Sequence, residues 1–444
     1  LTATLRKGGC QAEKSFSVSV IPQGLPPYTL TIEGSREVLD VSDVLYGLFY
    51  EDINNAADGG IYAELIQNRS FEAFAFDSFS HVCGECGIST GRNYEPLHAW
   101  FGDVDRVTVQ SEGGLNAHFG IEDPDVNAHY ITVPDGTKLY NRGFTDTNGA
   151  CAMSIREGER YDFTIWAKSD KGGTITAQLL NPDGGAISEP VVVEVTGGGT
   201  WSKYGVDSKV VLTGTATVLG QLVLTFAGEV SIDMVSLMPQ DVWGAGEEAR
   251  SASAHANYKG NSNYRLRSDL VNALVDLHPK FLRFPGGCIS EGSHVWDNVY
   301  DWKHSVGDIE LRKENYNVWG YMMTMGLGYM EYFQLAEDLN ATPLPVMACG
   351  VLCQARSDYA NPAGGELRDY YIRSFTDLID FAISMDFEGN EWAALRKQMG
   401  HEGPFDLRYL GVGNENWGTE FFANFEVFKA AIDAFMQANY PDHE

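Results

Sequence analysis

The residues best placed to do chemistry in this chain are Asn414, Glu415, Asn416 and Trp417, within the stretch Phe405–Gly418, FDLRYLGVGNENWG. Leu407, Tyr409, Leu410 and Val412 form a short, mostly apolar run, which predicts a buried parallel strand. Gly413 ends it, so Glu415 stands at a strand's C-terminal end between two amides and a tryptophan. A carboxylate so placed suits acid–base work on a sugar in a barrel enzyme. The plainer alternative is an exposed strand-end carboxylate with no chemistry. A dinucleotide fingerprint begins at Gly411-Val412-Gly413 but lacks its third glycine.

Other side chains ask for partners. Arg283 sits among Phe281, Leu282 and Phe284, and a charge in such company must be paired. Pro285-Gly286-Gly287 lets backbone approach a ligand closely, with Cys288 next, either lining a pocket or only packing. Trp319 and Trp417 can stack on sugar faces or serve the core. Trp100, Trp166 and Trp201 are further platform candidates, Trp166 being the one that reads as core. The seven cysteines are 10, 83, 86, 151, 288, 349 and 353, too few for a disulfide scaffold. Cys83 and Cys86 form a C-x-x-C without a second pair, open to a loop disulfide, free thiols or a metal or redox role. No metal site and no cofactor are expected.

Composition bounds the class. With 444 residues, 44% hydrophobic and 12% aromatic, the chain can bury two or three cores. The net charge of -30 argues against nucleic acid and suits a secreted or cell-surface setting. No apolar run is long enough to span a membrane. The sequence begins inside a polar, strand-like segment and ends 29 residues after Glu415, so it reads as truncated at both ends.

The elements that must position these residues change character along the chain. Residues 1–24 alternate like strands, with Phe16, Val18 and Val20 on one face. Val44, Leu45, Leu48, Phe49 and Tyr50 predict a strand ending at Glu51-Asp52, and Ile61 to Ile66 a short helix. Residues 75–240 carry period-two alternation and Gly-rich turns, which predicts an all-β sandwich. From Leu266 strands and helices alternate. Ser268 would cap a helix burying Leu270, Ala273, Leu274 and Leu277. Strands are predicted at Phe281–Phe284 and Leu344–Ala348. Helices are predicted over Tyr332–Leu339 and Asp377–Ala382, and from Phe421 to Phe435. Four such units predict α/β plus all-β architecture: the first half of a (β/α)8 TIM barrel interrupted by a jelly-roll-like β-sandwich. The expected domains are 1–24, 28–74, 75–240 and 241–444.

The segments LYGLFYEDINNAADGGIYAELIQNRSFE (45–72), FLRFPGGCISEG (281–292) and WGYMMTMGLGYMEYFQLAEDL (319–339), with 392–418, resemble α-L-arabinofuranosidases of glycoside hydrolase family 51. The insertion resembles a carbohydrate-binding module of the 4/9 type, and residues 1–24 the end of an immunoglobulin-like domain. The resemblance implies a retaining, exo-acting enzyme that removes arabinose from arabinan or arabinoxylan. It implies Glu415 as acid/base, with Asn414 on the sugar's 2-hydroxyl and Glu51 on furanose hydroxyls. Arg283 would pair with Glu51 or with the attacking carboxylate. That nucleophile would end a seventh strand outside this sequence, leaving these 444 residues inactive alone. Another retaining glycosidase of the same clan, such as a xylanase or endoglucanase, fits the Asn-Glu pair. EDIN followed by DGGIYAELIQNRSFE favours the arabinofuranosidase pattern. A non-catalytic carbohydrate-binding protein is the reading from another class. Partners are plant polysaccharides or arabino-oligosaccharides.

Overall fold

The computed structural model describes residues 2–7, 10–15, 42, 44–76, 92–145, 149–206, 209–243, 261–293, 295–356 and 364–443. Phe16, Val18, Val20, Cys83 and Cys86 lie outside them. Residues 1–42 and 43–444 are two compact units. In the first, Thr2–Lys7 and Cys10–Ser15 pair antiparallel, with Thr2 opposite Ser15. No helix among the described residues is long and apolar enough to cross a membrane.

The second unit contains a four-stranded parallel sheet whose strands follow one another in space as in sequence. They are β1 (Leu48–Phe49), β2 (Phe281–Phe284), β3 (Thr342–Met347) and β4 (Gly411–Val412). Phe281 pairs with Thr342 and Val346 with Gly411. Parallel neighbours need long crossovers. Between β2 and β3 runs α3 (Tyr329–Asp338), preceded in the chain by α1 (Ser268–Asp276) and the single turn α2 (Cys288–Glu291). Then come α4 (Gly365–Ile383), α5 (Glu391–Gln398) and α6 (Gly418–Asn439). This α/β region resembles the (β/α)8-type fold, with an additional β-rich region.

Aromatic packing fixes the sheet to its helices. Phe284 is fully buried and stacks on Tyr332 of α3 at 4.8 Å between ring centres. Phe333 stacks on Phe405 at 4.7 Å. Phe428 is buried on α6, and Phe421, Phe425, Ile432 and Phe435 lean on the same core, as their spacing predicts. A buried ion pair locks the start of α3. Arg312 donates to both oxygens of Glu331, 2.8 and 2.9 Å away, and neither side chain is exposed to solvent. Glu331 also accepts from the Gly328 amide and the Asn261 side chain.

The β-rich region is two six-stranded antiparallel sheets between Trp100 and Pro239. Arg160–Lys168 pairs with Val230–Pro239 in one, and Gly173–Leu180 with Val218–Ala227 in the other. Inward-facing Phe163, Ile165, Ile175, Leu224, Phe226 and Ile232 are wholly buried between them. The sandwich is tied to the α/β region. Glu64 accepts from the Leu237 amide at 2.9 Å and the Ser236 hydroxyl at 2.6 Å, and Trp166 and Lys203 both donate to Glu310.

Several local expectations fail for tertiary reasons. Residues 61–66 are not helical: the Ala63 amide bonds the Arg265 carbonyl and the Leu65 amide that of Leu237, while the Ile66 amide bonds the Glu64 side chain. The first strand shrinks to two residues, and Val44, Leu45 and Phe49 are exposed. The fourth also has only two, Gly411 and Val412, which pair with Val346 and Met347. Ser268 does not cap α1; Arg267 holds that position, and the Ser268 hydroxyl finds no partner among the described residues. That helix buries Val271, leaving Leu277 64% exposed. Trp100 and Trp201 are buried, so neither offers a sugar platform, while Trp166 is only half-buried. Their indole N–H groups go to the carbonyls of Asn68 and Gly113.

Candidate active site

The C-terminal ends of all four parallel strands converge. Backbone bonds continue two of them past the ladder: the Tyr50 amide to Arg283 and the Gly413 amide to Met347. β1 delivers Glu51, β2 leads to Pro285 and Cys288, β3 to Cys349 and Cys353, and β4 to Asn414–Trp417.

Glu415 is exposed, and its φ of 45° lies in the left-handed region. A non-glycine residue there costs about 1 kcal/mol or more and persists only where its neighbours hold it. Those neighbours are held by Glu291. Asn416 Nδ2 donates to Glu291 Oε1 at 2.6 Å, and Asn414 Nδ2 to Oε2 at 3.2 Å. Asn414 Oδ1 in turn accepts from Arg283. Among the described residues these bonds take one N–H and one lone pair of the Asn414 side-chain amide, leaving one of each.

Arg283 therefore does not pair with Glu51 as expected; among the described residues it bonds Asn414 and lies over the Phe49 ring at 4.2 Å. The amide dipole and the ring face accept the charge where Glu51 does not. Glu51 is half-buried and receives the Trp319 indole N–H at 3.3 Å and the Ile289 amide at 3.4 Å. Gly286 permits this: a Cβ there would meet Glu51 Cγ and Ile289 at 2.7 Å. At this position the glycine makes room for the Glu51 side chain. Trp319 carries the Arg356 guanidinium 4.3 Å over its ring, so that face is covered. Trp417 is 52% exposed, with its backbone clamped on both sides by the Gln354 amide. Asp52 is buried, and accepts from the Ala57 amide and the Tyr321 hydroxyl.

Charge at the site is unevenly distributed. Burial pushes the Glu291 carboxyl up to about 8, and nearby Cys288 adds to this against the two asparagine bonds. The Cys288 thiol is drawn down to about 6 by the hydrogen bond from Cys353, with Arg356 helping and burial opposing. The same contact and burial push Cys353 up. The two sulfurs are 3.6 Å apart, and Cys288 Sγ is 4.0 Å from Glu415 Oε2. Glu291, Cys353, Gln354 and Arg356 were not legible as site residues. Glu291 had one signal, its place three residues after Cys288 on a turn following the Pro-Gly-Gly stop.

Residues 273–444 match the family described as the α-L-arabinofuranosidase 1 domain. An extracellular exo-α-L-arabinofuranosidase of Streptomyces chartreusis is 35% identical over 94% of this chain and 45% of its own length. The chain is homologous to α-L-arabinofuranosidases. α-L-Arabinofuranosidase 1 of Arabidopsis thaliana is 29% identical over 94% of this chain and 55% of its own. The solved structure of an arabinose-bound family 51 α-L-arabinofuranosidase superposes with a TM-score of 0.65 at 26% identity, covering 90% of this chain and 57% of that one. The chain thus spans about half the length of the curated relatives it matches.

Proposed function

We propose that the chain belongs to a secreted, retaining, exo-acting α-L-arabinofuranosidase that removes terminal arabinofuranosyl groups from arabinan or arabinoxylan. Its α/β region would be the first half of a (β/α)8 barrel, and it would need no cofactor. The observation that carries this is Glu415: exposed, held in a left-handed conformation, and flanked by two amides that Glu291 orients. Hydrolysis with retention uses two carboxyls about 5–5.5 Å apart. Glu415 protonates the leaving oxygen and then, as a base, activates the water that frees the sugar. Glu51 and the free N–H of Asn414 bind furanose hydroxyls, and Trp417 supplies an open ring face. The attacking carboxylate comes from beyond these 444 residues, as the resemblance implies. Arabinose release from an aryl arabinofuranoside by the 444-residue chain alone would overturn that part.

Leaving-group dependence tests the acid. In a protein of the relatives' full length, Glu415→Ala should nearly abolish release from polysaccharide. It should spare the first step on a dinitrophenyl arabinofuranoside, whose leaving group needs no proton. A phenolate burst and a slow phase should follow. Azide should accelerate that phase and yield an arabinosyl azide of the substrate's own anomeric configuration. Loss of the burst together with indifference to azide would remove Glu415 from the acid/base role.

The sandwich is read as a carbohydrate-binding module. Because Glu64 and Glu310 bridge it to the α/β region, excising it would also break the enzyme. Its test is therefore retardation of the intact chain in arabinoxylan or arabinan gels. Migration unchanged by either polymer would leave the sandwich as a scaffold.

A further inference from the structure

Two cysteines meet beside the proposed acid. Cys288 opens α2, and Glu291 follows it at i+3, a spacing that puts both on one side of a helical turn. Cys353 arrives from the far side, six residues beyond the end of β3. One sulfur or carboxylate oxygen from each of the three lies within 4.8 Å of the others. Glu291 and Cys353 are 1% and 2% exposed, so water competes little for them. The 3.6 Å between the sulfurs is informative. A disulfide needs about 2.05 Å. Two thiolates on one tetrahedral zinc, with bonds of about 2.3 Å, stand about 3.8 Å apart. The pair is already at the second spacing.

We propose that Cys288, Cys353 and Glu291 form a binding site for a thiophilic divalent cation, zinc by ligand type, that inhibits the enzyme. Two sulfurs and one carboxylate oxygen would supply three of zinc's four positions, and Glu415 Oε2 is 4.0 Å from Cys288 Sγ. Ligation takes Glu291 away from Asn414 and Asn416, the amides on either side of Glu415. It also displaces Arg356 from Cys288. A bound cation therefore disturbs the proposed acid through the amides that hold it. The inhibition rests on the function proposed above; the binding does not.

Cobalt reads the binding directly, because thiolate ligation gives an intense near-ultraviolet charge-transfer band. The chain is fully reduced with a phosphine and carries Cys83→Ser and Cys86→Ser, so that the other pair contributes nothing. Titration with Co²⁺ should give one equivalent per chain, displaced by Zn²⁺. Cys288→Ser and Cys353→Ser should each abolish the thiolate band, and Glu291→Gln should weaken affinity at least tenfold, while Cys349→Ser keeps the band. Zinc should also slow iodoacetamide modification of Cys288 at least tenfold, a readout that needs no variant at the site. No band in this background, a band that survives Cys353→Ser, or unprotected Cys288 would overturn the site. In the full-length protein, zinc should inhibit arabinoside hydrolysis, a chelator should restore it, and Cys353→Ser should raise the inhibitory concentration at least tenfold. Binding without inhibition would keep the site and overturn its regulatory role. A full-length protein inactive even without zinc would instead count against the proposed function.

Discussion

Two buried glutamates mark two regions that use the same chemistry for opposite ends. Glu331, at the start of α3, faces Arg312 with both oxygens bonded and further donors from Gly328 and Asn261. Burial alone would raise its carboxyl, but the Arg312 charge and these bonds outweigh it and hold it below the usual range. Glu291, at the strand ends, has no cation among the described residues, only two amides and two thiols nearby, and burial pushes it up to about 8. The first network is closed and leaves nothing over for a ligand. The second is under-bonded and borders exposed Glu415. A closed network holds the fold; an open one keeps donors, acceptors and strain for something that arrives later.

The largest effect should come from opening the closed network. Arg312→Ala strands a buried carboxylate and should cost about 3–5 kcal/mol, read as a shifted denaturation midpoint. A loss under about 1 kcal/mol would erase the contrast. Removing Glu415 should do the reverse. The Glu415→Ala protein of the leaving-group test should lose at least about a hundredfold on polysaccharide, within the range for acid–base groups, while its midpoint stays within about 0.5 kcal/mol. A large stability loss there would mark Glu415 as structural.

The smallest test uses Glu314, buried like Glu331 but with one oxygen unpartnered. Burial pushes its carboxyl up to about 8 from an ordinary 4.5. A raised carboxyl contributes stability that is present below the unfolded value and lost as pH rises through the folded one. From pH 5 to pH 9, Glu314→Gln should therefore gain on the parent by about 1–3 kcal/mol, measured by denaturation at both pH values. Glu331, held low, should show the opposite sense, its contribution disappearing in acid. Parallel curves for Glu314→Gln and Glu331→Gln would show that the Arg312 charge does not distinguish the two sites.

The sequence by itself determined the alternation of strands and helices after Leu266, the α6 face carrying Phe421 and Phe428, and the placing of Glu415 just past a strand. These are local: a period of two or 3.6, a glycine stop and an amide on either side are written in neighbouring positions. It also determined the sandwich, whose alternation repeats strand after strand. Only the tertiary structure decided the rest. Residues 61–66 are not helical because the distant Arg265 and Leu237 carbonyls take two of their amides, overriding a helical pattern. Trp100 is buried in the core between the two sheets, and Trp201 in a small cluster with Leu115, Tyr130 and Met234, and no pattern in one strand foretells such cover. Arg283 finds Asn414, 131 residues away, rather than Glu51, because the ends of β2 and β4 converge. Cys288 meets Cys353 across 65 residues for the same reason. Pairings of that range depend on where separate strands end in space, which no local stretch of chain encodes.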